Sequence, residues 1–222
     1  TACGIYSTAI GYYTSASGDL SIATGDGTIA SGEHSTAMGI YSIASGQASM
    51  ALGYSANASG NSSNAMGKGT TASGESSTAM GLYTTASGQN ATAMGYYSDA
   101  SGILSTAIGN GTTAKSFTEH VIGSWNTIYT PLSTTAWDAG DRLFVIGNGS
   151  TSSTRSDAMV VLKSGNVGLG TSTPARTLHV NAVMRLQPIS TAPLNPAEGD
   201  MYMNATTHKL MVFDGATWQA CW

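Results

Sequence analysis

Charge is scarce in this 222-residue chain, where Asp, Glu, Lys and Arg make up 9% of residues against roughly 25% in an ordinary globular protein. The little there is leans acidic, with a net charge of −4, and the first 141 residues hold only two basic side chains, Lys68 and Lys115. Binding nucleic acid by phosphate neutralisation needs a basic surplus or cluster, so nucleic acid is not an expected partner. No run approaches the ~18 apolar residues of a membrane-spanning helix, and no membrane insertion is expected. No basic segment followed by an apolar one marks a signal peptide. The two cysteines, Cys3 and Cys221, stand at opposite ends, which argues against a disulfide framework.

Other residues are missing from one half only. All five prolines, all four tryptophans and all three phenylalanines lie after residue 116. Before that point the chain repeats. Glycine recurs every seven residues from Gly4 to Gly109, and alanine stands two residues before each, from Ala2 to Ala107, with Ala114 continuing the series. A coiled coil is excluded, because each interior glycine costs a helix roughly 1 kcal/mol relative to alanine. Collagen is excluded too, since it needs glycine at every third position. A β-solenoid remains, with short strands and a glycine expected at each corner.

The residue before each glycine doubles the period to fourteen. Ile10, Met38, Leu52, Met66, Met80, Met94 and Ile108 occupy one half-repeat, with Thr24 the exception, while Ser17, Ser31, Ser45, Ser59, Ser73, Ser87 and Ser101 occupy the other. One coil is therefore two short strands and two turns. About eight coils, each rising ~4.8 Å, make a body on the order of 40 Å long. Because residues i and i+2 share a face of a strand, alanine is placed inside, and the Ser and Met/Ile/Leu rows face outward. An apolar row of that length is too large to stay exposed on a monomer. Self-association through Ile10, Met38, Leu52, Met66, Met80, Met94 and Ile108 is the expected cover.

Segments such as TAMGIYSIASG (36–46) and STAMGLYTTASG (77–88) resemble the head repeat of YadA-like trimeric adhesins. The resemblance covers residues 1–116 and implies a left-handed parallel β-roll of fourteen-residue coils, assembled as a homotrimer through the apolar face. The stretch 136–180 resembles modules of bacteriophage tail fibres and related bacterial surface fibres, and EGDMYMNATTHKLMVFDGATWQACW (198–222) is similar to short C-terminal modules of such fibres. Read from the residues, LFVIG and MVVLK are two strands of a hairpin, Gly165-Asn166 marks the next turn, and Asp214-Gly215 marks another hairpin. The expected fold is all-β: a roll over 1–116, a transition over 117–135, a β-rich fibre module over 136–186, and a short hairpin module over 187–222. Phe117, Ile122, Trp125 and Tyr129 are expected to plug the end of the roll.

The tyrosines gather at one corner of the coil, where Tyr12, Tyr13, Tyr41, Tyr54, Tyr83, Tyr96 and Tyr97 follow the apolar half-repeat. Of these, Tyr13, Tyr41, Tyr83 and Tyr97 have two readings: a stack that binds sugar rings, or packing against a neighbouring chain, favoured because the corner adjoins the apolar row. The opposite corner carries Asp19, Glu33, Gln47, Asn61, Glu75 and Gln89 at intervals of fourteen. Asp19 and Glu33 would sit one coil apart, the spacing that suggests a glycosidase-like carboxylate pair, but a solvated edge that resists edge-on aggregation fits better. The four histidines lack metal-ligand spacing. Gly60 to Gly67-Lys68 has six intervening residues where a P-loop has four, and Gly168-Leu169-Gly170 lacks the third glycine of a dinucleotide fingerprint. No catalytic residue, cofactor or metal is therefore expected.

The expectation is an extracellular, non-enzymatic trimeric fibre for attachment, whose partners are its own copies and a cell-surface glycan or protein receptor. With no stalk or membrane barrel in the sequence, a tail fibre of a phage or contractile injection particle, attached through its N-terminal side, is preferred to the head of a bacterial trimeric autotransporter. A tailspike glycan depolymerase and an ice-binding solenoid, suggested by Thr8, Thr36, Thr78, Thr92 and Thr106 on one strand position, rank lower.

Overall fold

The computed structural model describes residues 1–221, so Trp222, the last residue of the expected terminal module, lies outside the described residues. Among them the regular structure is all strand. Each coil of the repeat contributes one five-residue strand and one two-residue strand. The longer strands are β1 (Thr8–Tyr12), β3 (Ile22–Asp26), β5 (Thr36–Ile40), β7 (Met50–Tyr54), β9 (Asn64–Lys68), β11 (Thr78–Leu82), β13 (Thr92–Tyr96), β15 (Thr106–Asn110) and β17 (His120–Ser124). The shorter are β2 (Ser15–Ala16), β4 (Ile29–Ala30), β6 (Ile43–Ala44), β8 (Asn57–Ala58), β10 (Thr71–Ala72), β12 (Thr85–Ala86), β14 (Asp99–Ala100) and β16 (Thr113–Ala114). Both series stack in parallel with a register of fourteen, as in Ala79↔Ala93 and Ala72↔Ala86. Together they form the two walls of a parallel β-solenoid.

The interior explains the alanines. The columns that include Ala23, Ala37, Ala51 and Ala30, Ala44, Ala58 are fully buried, because the two walls leave room for little more than a methyl group. Two further interior columns are hydroxyl-bearing: Ser21, Ser35, Ser49, Ser63, Ser77 and Ser105 in one, and Thr28, Ser42, Thr70, Thr84, Ser98 and Thr112 in the other. The sequence pattern placed serine only on the outside. Ser and Thr fit here because they are nearly as small as Ala and Val. In the second column Ser42 Oγ donates to the Gly53 carbonyl at 2.9 Å, Ser98 Oγ to the Gly109 carbonyl at 3.1 Å and Thr112 Oγ1 to Ser98 Oγ at 2.8 Å. The other nine hydroxyls of the two columns are buried without a hydrogen-bond partner among the described residues.

The glycines do not all sit at corners. Gly81 lies inside β11 with φ +117°, and a Cβ built there would land on the Gly95 carbonyl oxygen of the next coil. Gly74, in the other half-coil, has no such φ, but a Cβ there would strike the Gly88 carbonyl in the same way. What the heptad glycine provides is backbone-to-backbone approach between coils. The corner itself comes two residues later, and there the left-handed conformation is carried mostly by other residues: Tyr41 (φ 53°), Ala48 (53°), Ser76 (55°), Tyr83 (54°) and Leu104 (59°). That conformation costs an L-residue roughly 1–2 kcal/mol. Each corner is held by a hydrogen bond to the coil before it, for example Tyr83 N–H to the Lys68 carbonyl at 2.8 Å.

The longer wall does not end with the repeats. β17 pairs in parallel with β18 (Arg142–Asn148), matching Val121 to Val145 and Gly123 to Gly147. β18 then pairs antiparallel with β19 (Asp157–Leu162), β19 with β20 (Val167–Leu169), and β20 in parallel with β21 (Leu178–Val180), so that one sheet has thirteen strands. The LFVIG/MVVLK hairpin and the Gly165-Asn166 turn are both present. Val121, Val145 and Val160 continue the buried alanine column with larger side chains.

The chain divides into two compact units, 1–181 and 182–222. The second is a three-stranded antiparallel sheet of β22 (Met201–Met203), β23 (Leu210–Phe213) and β24 (Trp218–Ala220). Its Asp214-Gly215 hairpin is closed by the Asp214 carboxylate, which accepts Ala216 N–H and Thr217 N–H at 2.9 and 2.7 Å. These bonds hold the carboxyl below its ordinary value. Tyr202 is buried edge-on against Trp218.

Candidate functional site

Three surfaces of the solenoid gather the residues the sequence singles out. The first is the outer face of the longer strands. Ile10, Met38 and Ile108 are exposed, at 61%, 44% and 40%, and Leu52, Met66, Met80 and Met94 are half-buried by their own neighbours in the row. The register puts all seven in a single line, with Thr24 between Ile10 and Met38. Scattered surface apolar residues need no explanation, but a contiguous strip of them marks an interaction site. The Ser half-repeat faces solvent on the other side, with Ser31, Ser45, Ser59, Ser73 and Ser87 exposed.

The second surface is the tyrosine corner. Tyr13, Tyr41, Tyr83 and Tyr97 all occupy the left-handed corner position, and Tyr12, Tyr54 and Tyr96 end their strands beside it. Tyr83 stacks on Tyr97 at 5.1 Å between ring centroids, Tyr96 meets Tyr97 edge-on at 4.5 Å, and Tyr41 meets Tyr54 at 6.2 Å. A longer rhythm governs this corner. Gly27, Gly69 and Gly111 recur every 42 residues, and the ring one coil on lies over each of them: Tyr41, Tyr83 and Trp125. Tyr12, Tyr54 and Tyr96 keep the same interval. The fourteen-residue reading missed this three-coil period, although comparing every third coil would have revealed it. The result is a set of exposed phenol rings spaced along the roll.

The opposite corner is a hydrogen-bonded ladder. Asp19 Oδ1 accepts Ile5 N–H at 2.8 Å, Gln47 Nε2 donates to Glu33 at 3.2 Å, and Gln89 Nε2 donates to Glu75 at 3.0 Å. The carboxylates are thus spent on neighbouring coils. Among the described residues no group of three His, Cys, Asp or Glu side chains is placed to hold a metal ion.

At the end of the roll the structure corrects the expected aromatic plug. Ile122 faces outward in the apolar row, and the buried residues are polar: Glu119, Asn126, Asp141 and Arg142. In every regular coil the amides at positions such as Lys115 and Ser116 bond to an alanine carbonyl of the next coil, as Ser101 and Gly102 do to Ala114. Beyond Ser116 no next alanine comes, and Glu119 Oε2 takes both amides at 2.8 and 2.9 Å. Asn126 likewise imitates a peptide unit, accepting Thr113 N–H at 2.8 Å and donating to the Thr113 carbonyl at 3.0 Å. Burial pushes the Glu119 carboxyl up, against the pull of those two amides and of Arg142 and Lys163. The half-buried Tyr129 phenol is pushed up to about 12 by loss of water and by the nearby Glu119 charge. Arg142 donates to the Thr127 carbonyl at 2.8 Å and lies 3.5 Å from Asp157. These residues missed detection because single polar side chains carry no periodic signal; Glu119 interrupting a serine column was the available clue.

A family model described as "YadA head domain repeat (2 copies)" matches residues 2–28, 16–42, 30–56, 44–70, 72–98 and 100–116, together just over half of the chain. No curated protein matches.

Proposed function

The chain belongs to the YadA head-repeat family, and on that footing we propose that it is an extracellular, adhesin-like fibre that assembles as a homotrimer and serves attachment. The observation that carries the reading is the in-line apolar row from Ile10 to Ile108, which runs the length of the roll on its outer face. Covering it removes a strip of apolar surface from water at roughly 25 cal/mol per Å², and three copies of the tyrosine corner give avidity to a weak receptor contact. The receptor class is a cell-surface glycan or protein, met by Tyr13, Tyr41, Tyr83, Tyr97 and the loops of the later modules. The fibre carries no enzymatic activity in this reading.

Two carriers fit. The family match favours the surface-exposed head of a trimeric autotransporter adhesin. The resemblance of 136–180 and 198–222 to tail-fibre modules favours a phage or injection-particle fibre. Both rest on the same assembly, so the deciding measurement is molar mass by light scattering coupled to gel filtration. The expected mass is three times 22.5 kDa. A monomer at micromolar concentration overturns the proposal.

A further inference from the structure

The apolar row outlasts the repeats. From Ile108 the register passes to Ile122, then Ile146, Met159, Leu169 and Val180, so one line crosses the thirteen strands of the sheet with a large apolar side chain on every one but β3, which carries Thr24. The row two residues away changes character along the way. On the roll it reads Thr78, Thr92, Thr106 and His120; beyond, its register partners are Phe144, Val161, Val167 and Leu178. Between the two rows runs the fully buried column Ala107, Val121, Val145 and Val160. That column fixes the inner face, so both rows lie on the outer one, where Leu169 is 39% and Leu178 57% exposed.

A sheet with one wet face alternates apolar and polar residues, whereas near-continuous apolar strands belong to sheets covered on both faces. FVIG on β18, MVV on β19 and VGL on β20 are of the second kind. We propose that the outer face of β18–β21 is buried against a second copy of this chain, as the direct continuation of the roll's own assembly face. The inference rests on the self-assembly reading above and extends it to a segment that the family repeat does not include.

Three features point to a copy rather than a different partner. The strip is continuous in a single register with the roll's apolar row, so whatever covers one meets the other. Neither row contains Asp, Glu, Lys or Arg, so a copy meets no like charge and a charged partner finds no complement. The area argues likewise. Thirteen strands at ~4.8 Å give a strip about 60 Å long, and two side-chain rows make it roughly 12 Å wide, on the order of 700 Å². A standard interface buries about 800 Å² per partner, and the roll alone would supply roughly two thirds of the strip. The widened end brings the face to the size of a stable interface.

The test uses the purified full chain, so that any covalent adduct contains only this protein. A photo-crosslinking p-benzoyl-phenylalanine is introduced singly at Met80 on the roll, at Leu169 or Leu178 on the extension, or at Ser87 on the solvent-facing side. Irradiated samples are run on denaturing gels, and thermal melts confirm that each variant keeps its fold. Adducts of two or three chains are expected from positions 80, 169 and 178 and not from 87. If 80 gives adducts and neither 169 nor 178 does, the extension is not an interface and the inference falls, while the self-assembly reading stands. If none gives adducts, the inference falls, and the molar mass decides separately whether self-assembly falls with it.

Discussion

A methyl group added at Gly81 meets the Gly95 carbonyl of the next coil, and neither is free to move, because both backbones are pinned in the strand ladder. The same methyl at Gly69 meets only the edge of the Tyr83 ring, with the nearest atom at 2.5 Å. Rigid backbone and a rotatable side chain yield differently. Gly81→Ala is expected to destabilise by about 3 kcal/mol or more, from a backbone strain of ~1–3 kcal/mol with the collision added. Gly69→Ala, whose φ of 63° suits the left-handed well, is expected to cost at most about 2 kcal/mol. Denaturant titrations at one fixed protein concentration check this, and equal costs would refute the division of labour between the in-strand and corner glycines. The heptad glycine was plain in the sequence, but its job was not. A pattern shows where glycine is needed, and only the neighbouring coil shows that Gly81 makes room while Tyr83 makes the turn.

At the scale of the element, the strands were readable wherever they repeat. The continuation was also written there, since Val121-Ile122-Gly123 and Val145-Ile146-Gly147 keep the apolar–glycine phrase with valine in place of alanine. An interval of 24 instead of 14 hid it. The cap was not readable, because Glu119 and Asn126 acquire their roles only where the next coil is missing. Glu119 also makes the cap respond to pH. Its carboxyl is raised above its usual value of 4.5 in the folded protein, so its ionisation opposes folding. The contribution is fully favourable below about pH 4.5 and is lost as pH rises through the elevated folded value. Glutamine keeps an acceptor for Lys115 N–H and Ser116 N–H without a charge to bury. Glu119→Gln is therefore expected to hold or gain stability at pH 7 and to lose the wild-type rise in stability between neutral pH and about 4.5. Parallel melts across that range measure it; an unchanged difference between the two proteins at every pH would refute the assignment.

The whole solenoid behaves as a stack in which each coil touches only its neighbours, so coils should be removable as units. Two deletions distinguish its true period. Removing residues 50–63 joins Ser49 to Asn64, which takes the place of Met50, and every alanine, glycine and outward row stays in line. Removing residues 50–56 keeps the Ala-x-Gly spacing just as well, yet it joins Ser49 to Asn57 and puts Ser59 where Leu52 stood and Met66 where Ser59 stood, just after the two-residue strand. From that coil onward the apolar row changes walls, and the strip that the proposed trimer covers is cut in two. The fourteen-residue deletion should melt within a few degrees of the parent, the loss of one coil among many being small, and should keep its trimeric mass. The seven-residue deletion should lose its assembly and melt far lower. Both are read by thermal melts and light scattering. If the two deletions behaved alike, the alanine core alone would hold the molecule together and the apolar row would have no part in assembly. If they part as expected, the assembly is encoded in the one position of the repeat that alternates between methionine and serine.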